Sequence, residues 1–231
     1  DWYGRGLADQ ASRASKFKLP FLAPKIKGAF EKAVALDPNN IDAREDLMQY
    51  YIQAPGVLGG SKLKARAIAI DVKKRNAYRG GFDVAAVCLG DKDFACAERE
   101  LKALKGAYAD SADVYSQLAG FYANQKQFDN SFAVIDDRLK TNPGEMSALF
   151  ALGRTAALSG QSLDRGERAL KGYLTSPPAV NPIPPASVHF RLGMVYEKQG
   201  KKDLARAEYN TAIQLNPRMQ DARKALEAMG K

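Results

Sequence analysis

Apolar residues recur along this chain at helical spacing, and the same arrangement returns several times. In the C-terminal segment His189, Leu192, Gly193 and Tyr196 are followed by Ala205, Tyr209, Ala212 and Pro217. Tyr115, Leu118, Ala119 and Tyr122, then Ser131, Ile135 and Pro143, keep those spacings. Val84, Ala85 and Cys88, with Ala97, Leu101 and Leu104, form another copy that starts near Tyr78, 34 residues before Ala112, and lacks the terminal proline. Leu149, Leu152, Gly153 and Ala156 open a further one, whose second half (Gly166, Leu170, Tyr173, Pro178) fits after a one-residue insertion near Gln161. Ala14 and Phe17 with Ile26, Phe30, Ala33 and Pro38 give a fainter first copy, and Leu47, Met48 and Tyr51 begin the second. Each copy reads as two amphipathic helices.

These spacings have a mechanical reason. Leu, a small residue and Tyr at i, i+1 and i+4 place a wedge beside a gap on one helix face, and Ala with an aromatic four residues later on the next helix fills that gap. The segments Asp37-Pro38-Asn39-Asn40, Asn142-Pro143-Gly144 and Asn216-Pro217 cannot continue a helix and supply turn or cap residues. Gly160 and Gly200 are placed to close the first helices of their copies. Two stretches interrupt the rhythm: Gln53 to Gly60, inside the second copy, and the proline-rich link Pro177 to Pro185. Both are candidates for contacts, or else tolerated insertions, since loop length is thermodynamically cheap. The five prolines favour a stiff, extended link that sets the angle of the last pair.

The pattern W-x2-L-G-x2-Y, then A-x3-F, then P, is that of the tetratricopeptide repeat. The C-terminal copy departs from it only in His189 for Trp and Tyr for Phe. The chain therefore resembles the tetratricopeptide repeat family along nearly its whole length, and within it bacterial exported members. The resemblance implies an all-α, right-handed α-solenoid of about six helix pairs plus a C-terminal capping helix. As one solenoid over 1–231, the repeats fall at approximately 7–40, 41–77, 78–111, 112–145, 146–185 and 186–219, with the cap at 219–229. Ala222, Ala225, Leu226 and Met229 give that cap its apolar side.

In this family the first helix of each pair lines a concave surface, so groove candidates follow by register. They are Asp42, Glu45 and Gln49; Arg79, Phe82 and Asp83; Ser116, Gln117 and Gly120; Phe150 and Arg154; Phe190, Arg191 and Met194. Arg79, Phe82, Phe150, Arg154, Phe190, Arg191 and Met194 are the expected partner-binding residues, because aromatic and Arg side chains anchor interfaces and Met adapts to varied partners. The register puts them on one concave wall suited to an acidic-aromatic or C-terminal peptide. The carboxylate-clamp subclass needs Lys and Asn on successive first helices and then a Lys and Arg pair. Glu45, Gln49, Arg79 and Asp83 do not supply it, which disfavours a co-chaperone role.

Composition adds exclusions. With 231 residues, 45% hydrophobic and 26% charged, the chain can bury a core, which excludes disordered, collagenous and disulfide-packed classes. No apolar run approaches the roughly 18 residues of a spanning helix, so a soluble protein is expected. The chain opens on Asp1 with no basic-then-apolar leader, so any secretion signal is expected to have been removed or left out. The formal net charge of +9 favours acidic partners. Much of it is local: between Ser61 and Gly80, Lys62, Lys64, Arg66, Lys73, Lys74, Arg75 and Arg79 face Asp71 alone, which also reads as a solvated helix face. Nucleic-acid binding would need bases converging with stacking aromatics, and Lys62, Lys64 and Arg66 fall on a second, convex helix.

An enzyme needs a constellation, and none is evident: there are no expected catalytic residues, metal site or cofactor. The one histidine, His189, takes a packing position, and no P-loop or dinucleotide fingerprint appears. Cys88 and Cys96 flank the turn between two antiparallel helices. A similar interval bridges helix pairs in secreted relatives of this repeat class, which suggests a disulfide and an oxidising compartment. The alternative is two reduced, buried cysteines acting as small apolar residues. The expected location is accordingly periplasmic or secreted, with cytoplasmic as the alternative. The expected function is a non-enzymatic scaffold that binds a partner protein or peptide in its groove. The alternatives are a periplasmic envelope-assembly factor docking through its convex surface and loops, and an accessory subunit of an enzyme complex.

Overall fold

The computed structural model describes residues 2–13, 19–175 and 183–230. Ala14, Phe17, Pro177, Pro178 and Pro182, used in the repeat reading, lie outside these residues. The described residues are all-α, without strand, and their helices pack pair on pair as in an α-solenoid. None of these helices is long and apolar enough to cross a membrane. The pairs gather into two compact units, Asp1–Tyr108 and Ala109–Lys231.

The first unit holds α1 (Trp2–Arg13), α2 (Leu19–Leu36), α3 (Ile41–Gln53), a 3-10 turn (Gly56–Leu58), α4 (Lys62–Arg75), α5 (Ala77–Gly90) and α6 (Phe94–Ala107). Helix α1 starts at Trp2, ahead of the repeat boundary that spacing places near residue 7. Asn40, Ser61, Asn76 and Asp93 each accept a backbone N–H three residues on, which fixes where α3 to α6 begin. Asn76 also ends α4, so α4 and α5 meet at one residue, and a Cβ on Gly80 would lie 2.1 Å from the Lys73 backbone. Ile26, Phe30, Leu47, Met48, Tyr51 and Val87 are among the core side chains. The insertion between α3 and α4 is a built turn. Pro55 O accepts from the N–H groups of Leu58 and Gly60, and Tyr51 O from that of Ser61.

The second unit holds α7 (Ala112–Asn124), α8 (Phe128–Thr141), α9 (Met146–Ser159), α10 (Leu163–Leu174), α11 (Pro185–Lys198), α12 (Lys202–Leu215) and the closing helix α13 (Gln220–Ala228). Leu170, Tyr173, Val188, Leu192, Val195 and Tyr209 are core residues there, each at most 1% exposed. Small residues allow the close crossings. A Cβ on Gly153 would sit 2.2 Å from Leu170 Cγ, and one on Gly193 2.6 Å from the Tyr209 ring. The insertion near Gln161 is absorbed in the turn after α9, where Gly160 and Ser162 both take positive φ, +82° and +51°.

Candidate partner-binding face

Within the second unit α7 packs beside α9 and α9 beside α11, so the first helices of three successive pairs stand in a row. Phe150 and Arg154 leave α9 one turn apart, and Phe190, Arg191 and Met194 leave α11 in the corresponding stretch. All five are half-buried. The Phe150 ring leans on Tyr173, 6.0 Å between centroids, and the Phe190 ring on Tyr209 at 5.9 Å. Each phenylalanine thus rests on the buried tyrosine of its own pair and stays only half-buried. The Arg191 guanidinium lies 5.0 Å from the Phe190 ring centroid, and its Nη1 is 3.1 Å from Met194 Sδ. Ser116 and Gly120 of α7, with Phe150, Arg154 and Thr155 of α9, line a cavity of about 200 Å³.

Charge on this face is unbalanced. Arg154 donates to Asn124 Oδ1 at 2.6 Å, and neither Arg154 nor Arg191 has a carboxylate at ion-pair distance among the described residues. Burial pulls the pKa of Arg154 below the ordinary arginine range. Burial does the same to Arg191, the charge of Arg154 adds to it, and Asp221 and Tyr209 act in the other direction. Elsewhere in the unit several long cations are paired: Arg138 Nε donates to Glu145 at 2.7 Å, Lys171 and Lys201 hold Glu167, and Arg165 meets Asp136. Sequence register finds Arg154 and Arg191. That they lack carboxylates depends on what folding brings near, and no spacing reveals it.

Arg79 and Phe82 stand on α5 of the first unit. Arg79 Nε donates to Glu45 at 2.7 Å and its Nη2 also meets Asp42, so two carboxylates neutralise this cation. The Phe82 ring packs edge-on against Tyr78 at 5.2 Å. Asp83, one residue on, is 7% exposed with an unpartnered Oδ2. Its carboxyl is pushed up to about 7, first by burial and then by the nearby Glu45 charge. Between α1, α2 and α3 the same unit has a larger, mainly apolar hollow of about 640 Å³, lined by Ile26, Phe30, Tyr50 and Leu58 among others. Spacing gives no sign of that hollow.

The sulfurs of Cys88 and Cys96 are joined as a disulfide between the end of α5 and the start of α6, with Cα atoms 5.8 Å apart. His189 is half-buried, its Nδ1 2.6 Å from Glu208 Oε2 of α12. No group of three or more His, Cys, Asp and Glu side chains among the described residues is arranged to hold a metal ion. Lys62 and Arg66 of α4 both reach Asp91, at 3.2 and 3.0 Å, and Lys64 Nζ stands 5.5 Å from the Tyr51 ring centroid.

Residues 186–219, which make up α11, α12 and the turn after them, match the family model of the tetratricopeptide repeat. A tetratricopeptide repeat is thus present at 186–219, and the described residues share the fold of tetratricopeptide-repeat proteins. Solved structures agree in fold. A tetratricopeptide protein of Thermus thermophilus, TTC0263, is similar with a TM-score of 0.59 and 20% identity, over 80% of this chain and 98% of that one. The type IV pilus biogenesis factor PilW is similar over 98% of this chain and 99% of its own, with a TM-score of 0.60 and 18% identity. YrrB, a tetratricopeptide protein with an unusual peptide-binding site, gives 0.52 and 14% over 86% of this chain and 98% of its own. No curated protein sequence matches the chain. A tetratricopeptide fold supports a protein–protein interaction scaffold whose partner is a protein or peptide.

Proposed function

We propose that this tetratricopeptide protein is a non-enzymatic scaffold that captures a peptide or helix of a partner protein on the first-helix face of its second unit. The observation that carries this reading is the row formed by Phe150, Arg154, Phe190 and Arg191: two rings backed by buried tyrosines and two guanidiniums with no carboxylate at ion-pair distance among the described residues. Rings held by a firm base lose little freedom on binding, and desolvated cations gain most from a complementary charge. Met194 extends the surface with an adaptable side chain. The peptide-binding site of YrrB and the pilus-biogenesis role of PilW, in proteins of like fold, support the class of function. We place the protein in the periplasm or outside the cell, because a disulfide at Cys88 and Cys96 persists where thiols are oxidised.

A second reading has its own observation. Val57 in the built turn after α3 is 95% exposed, and Leu63 at the start of α4 is 80% exposed beside Lys62 and Lys64. An apolar pair at the turn and the helix start, with Lys62 and Lys64 beside it, suits docking of an envelope complex from that side. A peptide library separates the two. Peptides should bind the chain, and binding should fall when Phe150 and Phe190 are changed to Ala. Binding that persists in that variant but is lost in Val57→Ser with Leu63→Ser selects the loop.

A further inference from the structure

Building on peptide capture by the second unit, we propose that Arg154 and the Ser116 hydroxyl, with Arg191 beside them, form a receptor for one carboxylate of the partner, seated in the cavity between α7 and α9. Three observations converge. The cavity of about 200 Å³ has the room: a single water needs only about 10–15 Å³ of such space, and a carboxylate with its methylene group takes several times that. Its wall carries an orphan polar atom, since Ser116 Oγ is buried and has no hydrogen-bond partner among the described residues. Such a group costs stability unless a ligand or water satisfies it. Its wall also carries a cation in need of an anion, because the Arg154 guanidinium has the Asn124 amide oxygen as its sole hydrogen-bond partner among the described residues.

The neighbours sharpen the choice of ligand. Ser147, also on the wall, gives its hydroxyl to Glu145 Oε1 at 2.9 Å, and Glu145 is held by Arg138, so neither is free to neutralise Arg154. Thr155 shares its hydroxyl with Ser131 at 2.9 Å. Arg191 adds positive potential from α11, and Asp221 of α13, the acidic group acting on it, lies beyond ion-pair distance. Gly120 keeps the approach open: a Cβ there would stand 3.7 Å from Arg154 Nη1. The free donors are thus a guanidinium edge and one hydroxyl, a set that matches a planar carboxylate. Phe150 beside them covers the carbon to which the carboxylate is attached.

The test follows the Arg154 Nε–Hε signal of the full chain by NMR while sodium acetate is added, with sodium chloride at equal ionic strength as reference. A saturable shift with acetate and none with chloride is expected. N-acetylalanine and N-acetylglutamate α-amide then distinguish a C-terminal from a side-chain carboxylate. The acetate response should vanish in Arg154→Gln, as read on the Arg191 signal, and weaken about three- to tenfold in Ser116→Ala. It should be unchanged in Arg168→Gln, an exposed charge change on α10. A library-selected peptide should lose at least tenfold in affinity when its carboxylate is amidated, and show no such loss toward Arg154→Gln. Peptide binding without saturable acetate binding and without an amidation effect overturns the receptor and leaves peptide capture standing. Saturable acetate binding with no peptide binding keeps the receptor and removes peptide capture. Inorganic phosphate binding more than tenfold tighter than acetate overturns the carboxylate assignment.

Discussion

Asp83 makes the stability contributed by the buried helix α5 depend on pH. Its carboxyl titrates at about 7 in the folded chain, because burial and the Glu45 charge oppose ionisation more than Arg79 favours it. In an unfolded chain an aspartate titrates near 3.9. The folded state therefore binds the extra proton between those values. The stability this contributes is complete below about pH 4 and is lost as the pH rises through about 7. Urea midpoints at pH 5 and pH 8 should show wild type weaker at pH 8, and Asp83→Asn should flatten the difference; an equal slope in both proteins would remove Asp83 as its source. The cysteine pair is a second residue-scale test. A bridge closing the short Cys88–Cys96 loop contributes roughly 2–3 kcal/mol in the chain-entropy model. Intact mass after alkylation without reductant should show no alkylated thiol in protein isolated from its own compartment, and two alkylated thiols would remove both the bridge and the case for export.

Helix pairs are where the sequence is most readable and where its limits are clearest. Leu192, Gly193 and Tyr196 with Ala205 and Tyr209 announce a close crossing, and Gly193 indeed faces the Tyr209 ring with no room for a side chain. Gly193→Leu should cost about 1–3 kcal/mol in spite of leucine's better helix propensity, as measured by unfolding midpoints. A variant as stable as its parent would mean that the register of the best repeat is wrong. The turn inside each pair tells a different story. Lys92, Lys126, Gly160 and Gly200 all take positive φ where a first helix gives way to a second, the first three at 34-residue intervals. Gly160 and Gly200 can be foreseen from their type. Lys92 and Lys126 cannot, since their conformation is imposed by the helices they join. Lysine in this region costs about 1–2 kcal/mol, partly offset by the freedom glycine loses on folding. Lys126→Gly should therefore raise stability by about 0.5–1 kcal/mol, and a drop in the midpoint would show that contacts of the Lys126 stem outweigh what its backbone costs.

At the scale of the whole molecule, repeats reveal architecture because each pair must bury the same stripe against the next. The binding chemistry is less visible. Register picks out Phe150, Arg154, Phe190 and Arg191 as first-helix residues, yet it treats Arg79 identically, and only folding gives Arg79 two carboxylates while leaving Arg154 and Arg191 with none at ion-pair distance among the described residues. The Ser116 hydroxyl, an ordinary serine in the sequence, acquires meaning through the atoms it fails to meet. The central claim is that the first-helix face of the second unit holds the partner. Its most direct measurement is isothermal titration of a selected peptide into three proteins: wild type, Phe150→Ala with Arg154→Ala, and Lys62→Ala with Lys64→Ala and Arg66→Ala. The account predicts that the first variant loses more than about 2 kcal/mol of binding with an unchanged helical signal, while the second binds as wild type. Binding abolished by the Lys62, Lys64 and Arg66 changes and unaffected by those at Phe150 and Arg154 would contradict it and move the site to α4.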